Sequence, residues 1–100
     1  MDTSEGLVTY FREQASLDLA PRRMFGGVGL YLDGEMIAIV YDGRFFVKTL
    51  DKDAKRRHEE AGMGPFRPNS RQTLWSYWEI PPDVIDDRDE LAIWLQPHTN

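Results

Sequence analysis

Several places in this 100-residue chain hold residue types capable of chemistry. Gly26-Gly27-Val28-Gly29 invites a phosphate-cradle reading. A dinucleotide fingerprint, however, needs its glycines between a strand and a helix whose N-terminus meets the phosphate. Here the glycines sit inside a strand pattern that runs on into a hairpin, and Leu32 stands where a third fingerprint glycine belongs. Gly27 and Gly29 instead fall on one side of a strand. They leave a shallow trough between Phe25 and Tyr31 that could admit a ring, a backbone or a partner. With Trp75 as a further wall, the trough is a candidate small-molecule site.

Histidine, acid and hydroxyl chemistry finds less support. His58 and His98 are the histidines, and His58-Glu59 lacks the second histidine of a zinc-protease helix. Asp83, Asp86, Asp87 and Asp89 lack the spacing and central glycine of a calcium loop and read as caps and a solvated face. Ser4, Ser16, Ser70 and Ser76 lie in no nucleophile elbow. Cysteine is absent, which removes disulfides and thiol catalysis. The expectation is no catalytic residue, no metal and no cofactor, hence not an enzyme.

Arg22-Arg23 could hold an acidic group or form a solvated strand entrance. Trp75, Tyr77 and Trp78 belong either to a core or to an interface, because large aromatics dominate both. The chain carries a net charge of −5, unlike a protein that lives on phosphate contacts. Residues 44–71 nevertheless hold eight Lys or Arg against four acids, and residues 79–100 hold six acids and one Arg. Two solvated faces of opposite sign are one reading. A basic nucleic-acid surface with Arg56, Arg57, Arg67 and Arg71 is the other.

These residues are positioned by a short list of elements. Over residues 22–48, Asp33-Gly34 and Asp42-Gly43 interrupt apolar runs and predict three antiparallel strands joined by two-residue turns. In that register Leu30 faces Ile37 and Val28 faces Ile39, while Tyr41 faces Arg44 and Ile39 faces Phe46. One side then carries Met24, Val28, Leu30, Ile37, Ile39, Tyr41 and Phe46. The other carries Phe25, Gly27, Gly29, Tyr31, Met36, Ala38, Val40, Phe45 and Val47. Both sides are apolar, where a half-wetted antiparallel sheet alternates.

The apolar spacing of Leu7, Val8, Phe11, Ala15 and Leu19 predicts a helix over 4–19. A polar helix is expected over 51–61, capped by Asp51, then a loop over 62–71 and a strand over 72–80. A final helix over 88–96 starts at Asp87. The fold class is α+β, an antiparallel sheet of four to five strands in the order α-β-β-β-α-β-α. Residues 1–100 read as a single domain. Two amphipathic helices cover one sheet face, so the second is expected to meet a partner or another copy of the chain.

Arg22 through Tyr31 (RRMFGGVGLY) with the Asp33-Gly34 turn resembles the N-terminal domain of the TfoX/Sxy family of bacterial competence regulators. So do Ala61-Gly62-Met63 with Pro65-Phe66, and Ser76-Tyr77-Trp78-Glu79-Ile80-Pro81 followed by Val84 and the Asp86-to-Trp94 segment. The resemblance implies a small α+β domain and a role in transcription, since named members act with a cyclic-AMP receptor protein at competence promoters. It supplies no catalytic residue. Full-length regulators add a C-terminal domain that is missing after the last helix here, so a stand-alone domain is expected.

The expected function is therefore a non-enzymatic protein-interaction module. Its candidate surface is Arg22, Arg23, Phe25, Gly27, Gly29, Tyr31, Trp75 and Tyr77, and its partner is a protein such as a transcription factor. A homodimer is expected, without membrane association and without direct nucleic-acid binding as the main activity. With no signal pattern and no bilayer-length apolar run, the default address is cytoplasmic.

Overall fold

The computed structural model describes residues 3–24 and 26–95. A helix over Thr3–Ala15 (α1) precedes four strands, Ala20–Met24 (β1), Gly27–Leu32 (β2), Glu35–Tyr41 (β3) and Arg44–Lys48 (β4). Lys52–Glu60 (α2) then leads into Pro65–Asn69 (β5) and Gln72–Glu79 (β6), and Pro82–Ile85 (α3) and Arg88–Trp94 (α4) follow. The six strands make one sheet in the order β1-β2-β3-β4-β6-β5, and its paired neighbours are antiparallel. The fold is α+β.

The strand count exceeds the expected four to five for two local reasons. The stretch from Met24 to Leu32 is not one strand, because the chain reverses at Gly26, whose φ is +78°, and β1 folds back on β2. The proline-rich stretch expected as a loop contains β5, an edge strand, where a missing N–H costs no ladder bond. Helix α1 also stops at Ala15 rather than 19. Ser16 leaves the helix at φ +56°, and Leu19 reaches the core from beyond it, fully buried.

Both Asp-Gly turns form as read: Asp33 and Gly34, and Asp42 and Gly43, all have positive φ, the geometry of a twist-matched hairpin turn. Between β3 and β4 the register is the expected one, with Ile39 facing Phe46 and Tyr41 facing Arg44. Between β2 and β3 it is not. Tyr31 pairs with Met36, but Leu30 pairs with Ala38, so Ile37 is an extra residue in a bulge. Beyond it Gly29 faces Ile39 and Val28 faces Val40. The bulge exchanges the faces of β2 relative to β3.

Val28, Leu30, Ala38, Val40, Phe45 and Val47 therefore share one core with Val8 and Phe11 of α1, Val84 and Ile85 of α3 and Leu91 of α4. Phe11 stacks on Phe45 at 5.5 Å. Tyr10 donates to Asp86, Gln14 donates to the Ile85 carbonyl, and Arg88 donates to Gln14; together they tie the helices to one another. Asp87 caps α4 as expected, accepting from the N–H groups of Asp89 and Glu90 at 3.1 and 3.2 Å. Asp87→Ala should lower unfolding free energy by about 1 kcal/mol and Asp87→Asn by far less, read from urea midpoints.

Among the described residues the opposite face has no helix, yet it is not bare. Phe66 of β5 is fully buried there with Ile39 and Phe46. Its ring lies 4.9 Å from Phe46 and edge-on to Tyr41 at 5.2 Å. In a flat sheet β5 and β3 would be roughly 14 Å apart, three strand spacings. The sheet must therefore curl its β5–β6 end over its own face. Register shifts on both sides of Phe66 supply the bend. Tyr77 locks it, donating to the Met36 carbonyl at 2.7 Å. The chain's own hairpin thus covers Ile39 and Phe46 on this face.

Candidate functional site

Two large apolar side chains at and just beyond the β4–β6 ladder, Leu50 and Trp75, stand in water. At the end of β4, the Thr49 N–H donates to the Ser76 carbonyl at 2.7 Å. This is one rung past the Lys48–Tyr77 pair, and the chain leaves β4 just beyond it, at Leu50. Leu50 is 64% exposed and Trp75 58%. Trp75 is held from behind: its carbonyl accepts from Trp78 Nε1 at 2.9 Å, and the two rings are 6.3 Å apart. Trp78 itself is buried. Beside Leu50 opens a cleft of about 260 Å³ lined by Lys48, Thr49, Ala54 and Trp94. At its lip Lys48 pairs with Glu35 at 2.9 Å, which raises the lysine's pKa.

The residues singled out in the sequence do not form one surface. Arg22 is opposite Gly29 and Arg23 opposite Val28, so the two arginines point to opposite sides of β1. Both nevertheless line one groove of about 450 Å³ against α1, with Glu5, Thr9 and Arg12. Phe25 lies outside the described residues. The Gly27–Gly29 trough is filled. A methyl group on Gly27 would stand 2.5 Å from the Val40 carbonyl oxygen and 3.1 Å from Tyr41, and one on Gly29 would stand 2.8 Å from the sulfurs of Met24 and Met36. Tyr31 leans on Gly29, and Tyr77 is half-buried with a hydroxyl whose pKa burial raises. The glycines therefore serve close packing in the molecule's own interior. Trp75, on β6, is four strands along the sheet from Arg22 on β1.

The basic candidates are also dispersed. Arg56 and Arg57 are on α2, while Arg67 and Arg71 are on the β5–β6 hairpin. Arg56 lies 3.8 Å from Asp53, and Arg57 lies over the Trp94 ring at 5.6 Å. Among the described residues no group of His, Asp and Glu could hold a metal ion. His58 is sealed inside and bonded to a backbone carbonyl, so it presents no base at the surface. No helix of the described residues is long and apolar enough to cross a membrane.

Leu50 escaped sequence reasoning, although a signal existed. An apolar residue just before a helix cap normally packs on the fourth helical residue. Here that residue is Lys55, so Leu50 has no such partner. The model of the TfoX N-terminal domain family matches residues 14–97 of the chain. No curated protein matches the chain.

Proposed function

The chain belongs to the TfoX N-terminal domain family, and from that premise we propose that it is a non-enzymatic interaction module of the competence-regulator kind. It acts on transcription through a protein partner, such as a transcription factor, docked on Leu50 and Trp75. The observation that carries this reading is the exposure of each of these two side chains in a sheet whose other large apolar groups are mostly packed away. A tryptophan backed by a second indole and open in front is the kind of residue that dominates binding energy. Strand addition is a poorer route to a partner. One sheet edge, β1, contains Pro21 and the other, β5, contains Pro65 and Pro68, and proline has no N–H to offer.

Trp75→Ala is expected to weaken partner binding by about 30-fold, the ~2 kcal/mol of a hot-spot residue. Its urea midpoint should stay within about 0.5 kcal/mol of wild type, as for an exposed position. Partner retention from native-host extract, compared between wild type and this variant, reads the first effect. Equal retention at equal fold stability would sink the assignment. Sedimentation at micromolar concentration separates a second copy of the chain from a different protein as occupant. The net charge of −5 disfavours duplex binding. A gel shift that weakens steeply with salt would reverse that choice.

A further inference from the structure

Helix α2 is attached to the body of the protein through a titratable side chain. Of its nine residues only His58 is buried, at 2% exposure. The imidazole stands edge to face with Trp94 at 4.6 Å and lies 6.4 Å from Trp78. Nδ1 is 2.7 Å from the Glu79 carbonyl oxygen, an acceptor, so Nδ1 carries a hydrogen. Thr49 donates its own hydrogen to the Val47 carbonyl at 2.9 Å and lies 3.4 Å from Nε2. A second proton would gain only that long contact and the weak attraction of indole for a cation, at the cost of taking a full charge out of water.

The charged groups around the ring do not offset this cost. On α2 the neighbour is Arg57, a like charge. From β6 comes the Glu79 backbone, its carboxylate lying 3.7 Å from Arg44. From the end of β4 comes the Thr49 hydroxyl, with Lys48 turned to Glu35. From α4 comes Trp94, while that helix's acids, Asp89 and Glu90, are in its opposite, first turn. Burial, aided by Arg57 and opposed by the hydrogen bond to Glu79, holds the imidazole below its usual pKa of 6.5.

We propose that α2 is an acid-released cover: it is docked while His58 is neutral and lifts when His58 takes a proton, uncovering Trp78 and Trp94 beside the already exposed Trp75. The device goes beyond the docking role above and does not depend on it. The sign follows from linkage. The docked ring binds protons less readily than the free one, so docking is at full strength above about pH 6.5. It weakens as pH falls toward the docked pKa, by up to about tenfold per pH unit.

Hydrogen exchange on the full chain, corrected for intrinsic rates and followed from about pH 7.5 to about pH 5, tests this. Protection of the α2 amides should fall below about pH 6.5, by up to about tenfold per pH unit, while the β2–β4 amides hold theirs. In His58→Gln, whose amide can still donate to Glu79, α2 protection should not change with pH. Constant α2 protection in wild type, loss in step with the sheet, or an equal loss in His58→Gln would each overturn the proposal. If that variant fails to fold, the His58 ring resonance in wild type decides. Titration below 6.5 with α2 protection lost in step supports the cover, and titration at or above 6.5, or titration without that loss, overturns it.

Discussion

Gly27→Ala should lower the unfolding free energy by about 3 kcal/mol, the upper range for forcing atoms into a packed interior. Gly29→Ala, two residues along the same strand, should cost about 1 kcal/mol or less. The two sites look alike in sequence and both are buried. What differs is the neighbour a methyl group would strike. At Gly27 it is the Val40 carbonyl oxygen at 2.5 Å, part of a backbone that pairs with Val28 and cannot move without breaking the ladder. At Gly29 it is the sulfurs of Met24 and Met36, both at 2.8 Å, each on a flexible chain able to rotate away. Part of that cost returns, because alanine loses less backbone freedom on folding than glycine. Urea midpoints of the two variants read the contrast. Equal midpoints would refute the close-packing account of Gly27 and reopen the trough as a binding feature.

Phe66→Ala should cost about 3–5 kcal/mol, the usual range for emptying a buried phenylalanine site. It should also make the chain self-associate. Phe66 is the plug of the helix-free face, fully buried against Phe46 and Tyr41. Removing it opens Ile39 and Phe46 to water, and an apolar patch of that kind seeks another copy. Phe66→Leu retains most of the volume and should cost about 1.5 kcal/mol or less without the change in association. Sedimentation velocity at tens of micromolar distinguishes them. A monomeric Phe66→Ala variant that stays folded would mean that the hairpin is not the cover of this face.

Much of the scaffold was readable from residues alone, because local chemistry decides it. Asp33-Gly34 and Asp42-Gly43 specify twist-matched turns whatever lies around them. A two-residue turn then imposes the β3–β4 register. Asp87 starts α4 through its own side chain, and α2 spans nearly the expected residues, with Gly62 at its exit and Met63 N–H closing on the His58 carbonyl at 3.0 Å. Such features depend on neighbours within a few residues, where identity and geometry are tightly linked.

The bulge at Ile37, the strand β5 and the curl of the sheet were decided by packing. Alternation reveals a strand's inner face only where the other face is polar. In β2 and β3 both are apolar, so a one-residue slip leaves no trace in the pattern. The slip wins because it puts Ile37 into the helix layer, fully buried, and sets two residues without side chains under Met24, Met36 and Tyr41. Pro65 and Pro68 suggested a loop, yet the tertiary fold gives that stretch a place at a sheet edge, where the absent N–H is harmless. Whether Trp75 faces water or Trp78 does is likewise settled by the strand's bend over Phe66, a contact between chain segments about twenty residues apart that no local rule encodes.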